Sequence, residues 1–357
     1  MKQRVPKVHA KMADIAALAG VSSSTVSRAL AGSALVAEER REEIARIARE
    51  HGYVVNPTAR NLRLQRTQTI SVVIPLAHET SQPLTDPFFA AILGHLADEI
   101  TRRGYGVFLQ KILPPMPDWM TRLISAHRSD GVIVIGQSTE HGVLEQAASV
   151  YHPLVVWGAE ADAAYCTVGT DNVDGARQAV THLIRLGRRR IVFVGDTTAP
   201  EIRRRYEGYR SALRRAKAGL EAQQVVPAHL TADAAQAAMA RFIASKHEFD
   251  AVFAASDVIA ISAISAIRAA GLRVPEDVAV VGFDDIAMAA HTHPALTTVR
   301  QQIQRGAVTL VDLVFRRIAA ERTESVLLPA ELMVRESCGA HLASGTRVVR
   351  AAMGRAR

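Results

Sequence analysis

Residues 11–32 read KMADIAALAGVSSSTVSRALAG, and this stretch decides the fold of the N-terminal region. Ile15 and Leu18 recur at helical spacing before Gly20, a residue suited to the left-handed conformation that ends a helix. Ser22 then offers an N-cap hydroxyl for a second short helix. The stretch therefore predicts two helices joined by a tight turn, the pattern of a helix-turn-helix.

The polar side chains of the second helix and its cap are short hydroxyls and one guanidinium. They are Ser22, Ser23, Ser24, Thr25, Ser27 and Arg28. Such groups can reach phosphates and base edges in the major groove, where arginine binds guanine in bidentate fashion. A third helix is predicted over 37–51. A three-helix module without DNA contacts would use the same apolar positions and is the alternative.

The next segment predicts a short helix over 57–64. Asn56 supplies an N-cap and Pro57 the first helical residue. Two turns are marginal alone because helix nucleation is costly. Leu62 is a large apolar residue between Arg60 and Arg63, an arrangement that suits a minor-groove wedge with phosphate-binding arginines. The alternative is a plain linker with one buried leucine.

From residue 69 the chain alternates short β-branched runs with amphipathic stretches, as in TISVVIPL (69–76), DGVIVIG (130–136) and DVAVVGFDD (277–285). Helices are predicted over 88–103, 173–186, 259–270 and 303–320. This alternation predicts βαβ units and parallel sheets, and so many units predict two sheets. Ligands of such sheets bind beyond the carboxyl ends of the strands. The polar residues at those ends are Asp171, Asp196, Ser256, Asp257, Asp284 and Asp285.

MADIAALAGVSSSTVSRAL (12–30), HGYVVNPTARNLR (51–63) and the α/β body together resemble the lactose-repressor (LacI/GalR) family of bacterial transcription regulators. The resemblance runs from about Lys11 to Cys338. It implies that Ser23, Ser24 and Arg28 read bases and that Leu62 opens the central operator step in a dimer. Two residues depart from the family pattern: Ala31 replaces a usual asparagine and Ala37 a usual helix-capping serine or threonine.

The resemblance implies an N-terminal all-α helix-turn-helix headpiece with a hinge helix, followed by an α/β periplasmic-binding-protein-like body of two lobes with parallel sheets. The expected divisions are a headpiece 1–55, a hinge 56–68, a body 69–340 and a disordered basic tail 341–357. The N-lobe would comprise 69–169 and 299–327, and the C-lobe 170–297 and 328–340. Three crossings would lie near 169–172, 291–298 and 327–332.

The family pattern also implies an effector site between the lobes. Arg205, in an R-x-x-G-Y turn, would bind the effector, and Asp284 would accept from ligand hydroxyls. The other expected effector-binding residues are Asp86, Phe88, Phe89, Trp157, Asp171, Ser256 and Asp257. Alternative roles are a helix cap for Asp171, a hydrophobic staple for Phe88 and Phe89, and core packing for Trp157. Ser256 replaces a common asparagine, and Leu230 a common aromatic residue.

The net charge of +8 is concentrated at the ends of the 357-residue chain. Residues 1–68 carry 12 Lys/Arg against 6 Asp/Glu, residues 69–340 carry 27 against 29, and residues 341–357 carry four against none. A compact basic N-terminal segment is typical of a module that binds nucleic acid. Two cysteines, no signal peptide and no long apolar run favour the cytoplasm and argue against a membrane span.

Enzyme signatures are absent from the sequence: there is no GxxxxGK[ST], HExxH or GxSxG motif, nor a GxGxxG after a strand. His291 and His293 have no third metal ligand, and no cofactor or metal is expected. The sequence predicts a repressor of carbohydrate-utilisation genes, a homodimer that binds double-stranded operator DNA and a mono- or oligosaccharide effector. The tail has no leucine heptads for a tetramer. The alternatives are a sugar-binding transport component, or an effector of another class such as a purine or nucleoside.

Overall fold

A computed structural model describes residues 10–53, 66–76, 81–113, 116, 118–137, 140–158, 163–216 and 224–342. The chain forms two compact units, 1–67 and 68–357. The hinge predictions at Asn56, Arg60, Leu62 and Arg63, and the tail beyond residue 342, lie outside the described residues. Within the described ranges, no helix is both long enough and apolar enough to cross a membrane.

The N-terminal unit contains three helices: α1 (Met12–Leu18), α2 (Ser23–Leu30) and α3 (Glu38–Glu50). Ile15, Val26 and Ile44, one from each helix, are fully buried and form the centre of its core. Gly20 has φ +62° in the turn between α1 and α2, as its position in the sequence predicts. The helix-turn-helix fold is therefore confirmed.

The first lobe of the body contains a parallel sheet in the order β11-β5-β4-β3-β1-β2. Its strands are β1 (Thr69–Pro75), β2 (Gly106–Ile112), β3 (Gly131–Ile135), β4 (Leu154–Trp157), β5 (Cys166–Thr170) and β11 (Val326–Leu328). Helices α4 (Pro87–Arg102) and α11 (Ile303–Ile318) bury one face, while α5 (Trp119–Ser125) and α6 (His141–Val150) bury the other. β1 is apolar almost throughout because helices cover both its faces.

The second lobe contains a sheet in the order β12-β10-β9-β8-β6-β7, parallel except for the antiparallel pair β10–β12. Its strands are β6 (Ile191–Val194), β7 (Gln224–Val226), β8 (Ala251–Ala254), β9 (Ala279–Asp284), β10 (Thr297–Arg300) and β12 (Glu331–Met333). Its helices are α7 (Asn172–Arg185), α8 (Pro200–Arg215), α9 (Ala232–Ala244), α10 (Asp257–Ala269) and a 3₁₀ turn, Ala287–His291. The predicted two-lobed α/β fold is confirmed.

The chain passes between the two sheets three times, and one passage differs from its prediction. The first and third fall at 170–172 and 328–331, within the predicted ranges. The second was predicted near 291–298 with the N-lobe resuming at residue 299, but β10 pairs with β9 as far as Arg300. The passage therefore falls at 300–303, where Gln302 has φ +55°. The β-branched run of β10 continues the second sheet beyond the predicted crossing.

Candidate functional site

The exposed face of α2 consists of Ser23, Ser24 and Arg28, which we call the α2 face. Val26 and Ala29 lie on the opposite, buried side of the helix. Ser22 and Thr25 are engaged at the start of α2: the Ser22 hydroxyl accepts from the Thr25 amide at 3.2 Å and lies 2.9 Å from the Thr25 hydroxyl. Ser27 is partly buried. Of the six predicted DNA-binding residues in this segment, Ser22, Ser23, Ser24 and Arg28 are exposed. The Ser22 hydroxyl also lies 2.7 Å from the Ser24 hydroxyl, so Ser22 serves as the cap of the helix that carries the other three.

The body contains a pocket at the carboxyl ends of both sheets, which we call the interlobe pocket. The first lobe contributes residues that end or follow β1, β3 and β4, and the second lobe residues that end or follow β6, β8 and β9. Its cavity volume is about 90 Å³. It is lined by Pro75, Leu76, Gln82, Asp86, Phe88, Phe89, Ile135, Gly136, Trp157, Ala199, Glu201, Ile202, Arg205, Leu230, Ser256, Asp284 and Gln301. Seven of the nine predicted effector-binding residues are therefore brought together.

Two predicted residues lie outside this lining. Asp171 caps α7, where its side chain accepts from the Asp174 amide at 2.9 Å, so the alternative role as a cap is the one observed. Asp257 is fully buried beneath the pocket and accepts from the Ile286 amide at 2.9 Å and from the Thr298 hydroxyl. Burial raises its pKa well above the usual range, and nearby Asp284 adds to that rise. Asp257 therefore holds the segment that follows β9 and lies outside the pocket lining.

Arg205 reaches the pocket because α7 and α8 pack closely. A side chain on Gly208 would place its Cβ 2.2 Å from the Val173 carbonyl oxygen, so glycine is required there. Tyr209 anchors the same helix to β6 by donating to the Ile191 carbonyl at 2.7 Å. These contacts explain why the R-x-x-G-Y spacing places the Arg205 guanidinium at the carboxyl edge of the second sheet.

The Arg205 guanidinium is buried but well supplied with partners. Its Nε donates to Asn172 Oδ1 at 2.8 Å, and its Nη1 donates to the Ala255 carbonyl and to Asp284 Oδ1, the latter at 3.4 Å. Its Cζ lies 3.9 Å from the centre of the Phe283 ring. Burial lowers the pKa of this arginine, and the surrounding carboxylates oppose that shift. The group is thus held rigidly, with its charge paired to Asp284.

Asp284 lies at the end of β9 and also accepts from Gln301 Nε2 at 2.6 Å. Burial raises its pKa to about 6, against the lowering effect of Arg205 and with a further rise from Asp86. Gln301 sits at the second passage between the lobes, and its carbonyl accepts from the Thr170 hydroxyl at the first. Asp284 is therefore a buried carboxylate connected directly to the segments that join the lobes.

On the first lobe, Asp86 caps α4 by accepting from the Phe88 amide at 2.9 Å, with Pro87 as the first helical residue. Burial raises its pKa, an effect opposed by bonds from Gln82 and the Phe88 and Phe89 amides. The Phe88 ring centre lies 5.8 Å from that of Phe89 and 6.2 Å from that of Trp157. These rings give the first-lobe side of the pocket an apolar surface on which a sugar ring can pack.

Sequence reasoning missed three polar lining residues: Gln82, Glu201 and Gln301. Gln301 was missed because the second passage was predicted near 291–298 and lies at 300–303. Gln82 lies in an irregular loop and Glu201 in the first turn of α8. No sequence motif marks either residue as part of a binding site. Glu201 Oε1 also accepts from the main-chain N–H of Gln137, in the first lobe, at 3.1 Å, so this hydrogen bond spans the pocket between the lobes.

Within the described ranges, no group of three or more His, Cys, Asp or Glu side chains is arranged to hold a metal ion. His291 ends the 3₁₀ turn, and the His293 ring nitrogen Nδ1 lies 3.1 Å from the Thr292 carbonyl oxygen. Neither histidine lines the interlobe pocket.

Comparison with known proteins identifies two matching family models. The model for bacterial regulatory proteins of the lacI family matches residues 11–56, and that for a periplasmic binding protein-like domain matches residues 180–338. The HTH-type transcriptional regulator CelR of Thermobifida fusca is 36% identical over 335 residues, which cover 90% of this chain and 96% of that protein. The HTH-type transcriptional repressor CytR of Escherichia coli K12 is 31% identical over 318 residues, covering 87% and 91%.

Solved structures of transcription regulators are also similar to this chain. A CelR–cellobiose complex superimposes with a TM-score of 0.67 at 34% identity and covers 92% of this chain and 99% of that one. The lac repressor dimer bound to operator and an anti-inducer superimposes with a TM-score of 0.82 over the same shares. Its identity is 23%, so this second likeness concerns the fold alone.

Proposed function

The chain belongs to the lacI family of bacterial regulatory proteins, and from that premise we propose that it represses carbohydrate-utilisation genes under the control of a neutral sugar. The resemblance drawn from residues 12–30 and 51–63 is thereby confirmed. The relatives reported above are transcription regulators, and no reaction is proposed for this chain.

The α2 face supports operator binding. Ser23, Ser24 and Arg28 are exposed on one side of a helix whose other side is held by the headpiece core. A rigid helix with short donors and one guanidinium is suited to the major groove, where each good bidentate contact contributes about 1–3 kcal/mol of base discrimination. In a homodimer, two such helices would read a pseudo-palindromic operator.

The observation that carries the effector class is the Arg205–Asp284 pair facing the Phe88–Trp157 cluster across the interlobe pocket. A carbohydrate site typically has fixed charged groups that bond the sugar hydroxyls. On the opposite side it has aromatic rings that pack against the apolar face of the sugar. The relative CelR was solved with cellobiose. We therefore place a mono- or oligosaccharide in this pocket.

The position of the pocket between the lobes supports regulation by the effector. A sugar that binds one lobe arrangement better than the other shifts the population toward it, by no more than its differential affinity for the two. The hinge, residues 56–68, would transmit this shift to DNA affinity. The sequence predicts a two-turn helix over 57–64, and so short a helix would be marginally stable alone, so a modest lobe movement would suffice to change it.

The test begins with in vitro selection of an operator from random DNA by the full chain. Fluorescence anisotropy then measures affinity for that operator with and without mono- and disaccharides, sugar phosphates, purines and nucleosides. We expect a neutral sugar to change operator affinity, and DNA affinity to fall steeply with added salt through counterion release. A response only to purines or nucleosides would exclude the sugar class, and failure to select any sequence would exclude operator binding.

A further inference from the structure

Gln82 carries a buried acceptor atom with no partner. Its side chain lines the interlobe pocket and the residue is 4% exposed. Its Oε1 accepts no hydrogen bond from any residue that the structure describes. A buried polar atom left in this state is destabilising, and in native proteins such atoms are normally satisfied. The atom therefore calls for a donor, and its place in the pocket lining points to a ligand.

The orientation of this amide is fixed by its neighbour. Gln82 Nε2 lies 3.3 Å from Asp86 Oδ2, to which it donates. Rotating the amide by 180° would place Oε1 against the carboxylate, two acceptors facing each other without a proton between them. The interaction with Asp86 thus holds Nε2 toward α4 and leaves Oε1 as the free end of the side chain.

The backbone at Gln82 is held as well. The Lys111 ammonium, on β2, donates to the Gln82 carbonyl at 2.9 Å. Asp86, at the other end of this short segment, is fixed by the Phe88 amide. A side chain supported at both its backbone and its Nε2 loses little further freedom when it binds a ligand, which favours affinity and selectivity.

The polar lining around Gln82 is rich in acceptors. Asp86, Glu201 and Asp284 contribute three carboxylates against the single guanidinium of Arg205, whose Nε and Nη1 already donate to protein acceptors. Such a lining requires donors from its ligand and repels negative charge. Neutral polyols supply hydroxyl donors, whereas sugar phosphates and uronic acids add an anion.

Resting on the function proposed above, we propose that Gln82 is a specificity-determining residue whose Oε1 accepts a hydrogen bond from one hydroxyl of the carbohydrate effector. The pocket of which it is part selects a neutral polyol over its anionic derivatives.

Isothermal titration calorimetry tests the role of Gln82. The full chain is titrated with the neutral sugar that has the largest effect on operator affinity. Gln82→Met removes the acceptor at nearly constant volume, and we expect Kd to rise about ten-fold, the effect of a typical net hydrogen bond. The matched control is Gln224→Met, since Gln224 carries the other buried amide oxygen without a partner in the described chain and lies on β7, away from the pocket. Its Kd should not change.

Monodeoxy derivatives of the same sugar complete a double-mutant cycle. One derivative should bind the wild-type chain about ten-fold more weakly than the parent sugar does. The same derivative should bind Gln82→Met as well as the parent sugar does, because the deoxygenation and the substitution remove the same hydrogen bond. Additive losses at every hydroxyl, or a Gln82→Met Kd within two-fold of wild type, would overturn the assignment. If the methionine variant does not fold, Gln82→Asn replaces it in the double-mutant cycle, because the shorter side chain moves the amide oxygen away by one methylene.

The 6-phosphate of the sugar tests the charge selectivity and should bind at least about a hundred-fold more weakly, reflecting the cost of an unpaired buried anion. Equal affinity would overturn that part of the proposal. If no neutral sugar binds the wild-type chain, the proposed effector class itself fails. That result is distinct from a sugar that binds without using Gln82.

Discussion

Asp284 and Asp285 are adjacent in the chain, yet their carboxylates serve different parts of the second lobe. Asp284 accepts from Arg205 and Gln301 in the interlobe pocket. Asp285 accepts from Arg300 Nε at 2.7 Å and from Arg335 Nη2 at 2.6 Å, outside the pocket lining. Both residues have positive φ, 128° and 57°. Two consecutive non-glycine residues in this region indicate strain, which persists only where the surrounding contacts hold it.

The first prediction concerns the buried pair. Arg205→Met should destabilise the body by about 3–5 kcal/mol, since it leaves the buried Asp284 carboxylate without its cation. Adding Asp284→Asn should recover much of that loss, because neither charge then remains buried. Urea unfolding of the single and double variants gives the comparison. If the double variant is less stable than Arg205→Met, the destabilisation does not come from an unpaired charge.

The second prediction concerns pH. The pKa of Asp284 is raised to about 6, above its value in the unfolded chain, so its ionisation lowers stability as pH rises through about 4 to 6. Effector binding should show the opposite trend, because a hydroxyl donates best to the ionised carboxylate. We expect Kd to increase about ten-fold between pH 7 and pH 5. In Asp284→Asn that increase should disappear; if it persists, another group is titrating.

The third prediction concerns Gly306 in α11, which packs directly against Trp157. A Cβ at this position would lie 2.2 Å from the indole ring, so Gly306→Ala must displace a residue of the pocket lining. We expect a loss of about 1–3 kcal/mol from overpacking, together with weaker effector binding and altered tryptophan fluorescence. Gly94→Ala is the control, since nothing lies within 4 Å of a Cβ there, and in α4 alanine should stabilise by up to about 1 kcal/mol.

The fourth prediction concerns the N-terminus of α3. Ala37 occupies the N-cap without a side-chain hydrogen bond, in agreement with the departure noted in the sequence. Ala37→Ser should supply the missing acceptor and stabilise the headpiece by about 0.5–1 kcal/mol. Amide hydrogen exchange in the full chain should slow across α3. Ser22→Ala, which removes the observed cap of α2, should accelerate exchange in that helix; unchanged rates in both variants would contradict the capping argument.

The fifth prediction concerns the α2 face. Arg28→Ala should weaken binding to the selected operator by roughly ten-fold or more and relax the preference at one base pair, as expected for loss of a base contact. Arg122→Ala, which removes an exposed arginine paired with Asp118 in the body, provides the comparison. An equal, sequence-independent loss in both variants would assign Arg28 a general electrostatic role.

Periodicity in the sequence was sufficient to predict the parallel sheets, but of the strand-end residues it singled out only Ser256 and Asp284 line the pocket. The two facing lobes and the other predicted lining residues came from the family resemblance. Periodicity could not distinguish Asp257 from Asp284, since both are acidic residues at strand ends and only packing decides which is covered. Gln82 and Glu201 escaped prediction because their roles depend on contacts made after folding, with Asp86 and with the Gln137 amide. The passage at 300–303 was misplaced because local turn signals do not reveal which sheet a strand joins.

The hydrogen bond from the Gln137 main-chain N–H to Glu201 joins the two lobes across the interlobe pocket. If a sugar binds only to molecules in which this bond is broken, the apparent affinity equals the intrinsic affinity multiplied by the fraction of molecules in that state. A tenfold smaller fraction would then raise the half-maximal effector concentration about tenfold, and Glu201 would influence the dose response separately from the fit of the sugar.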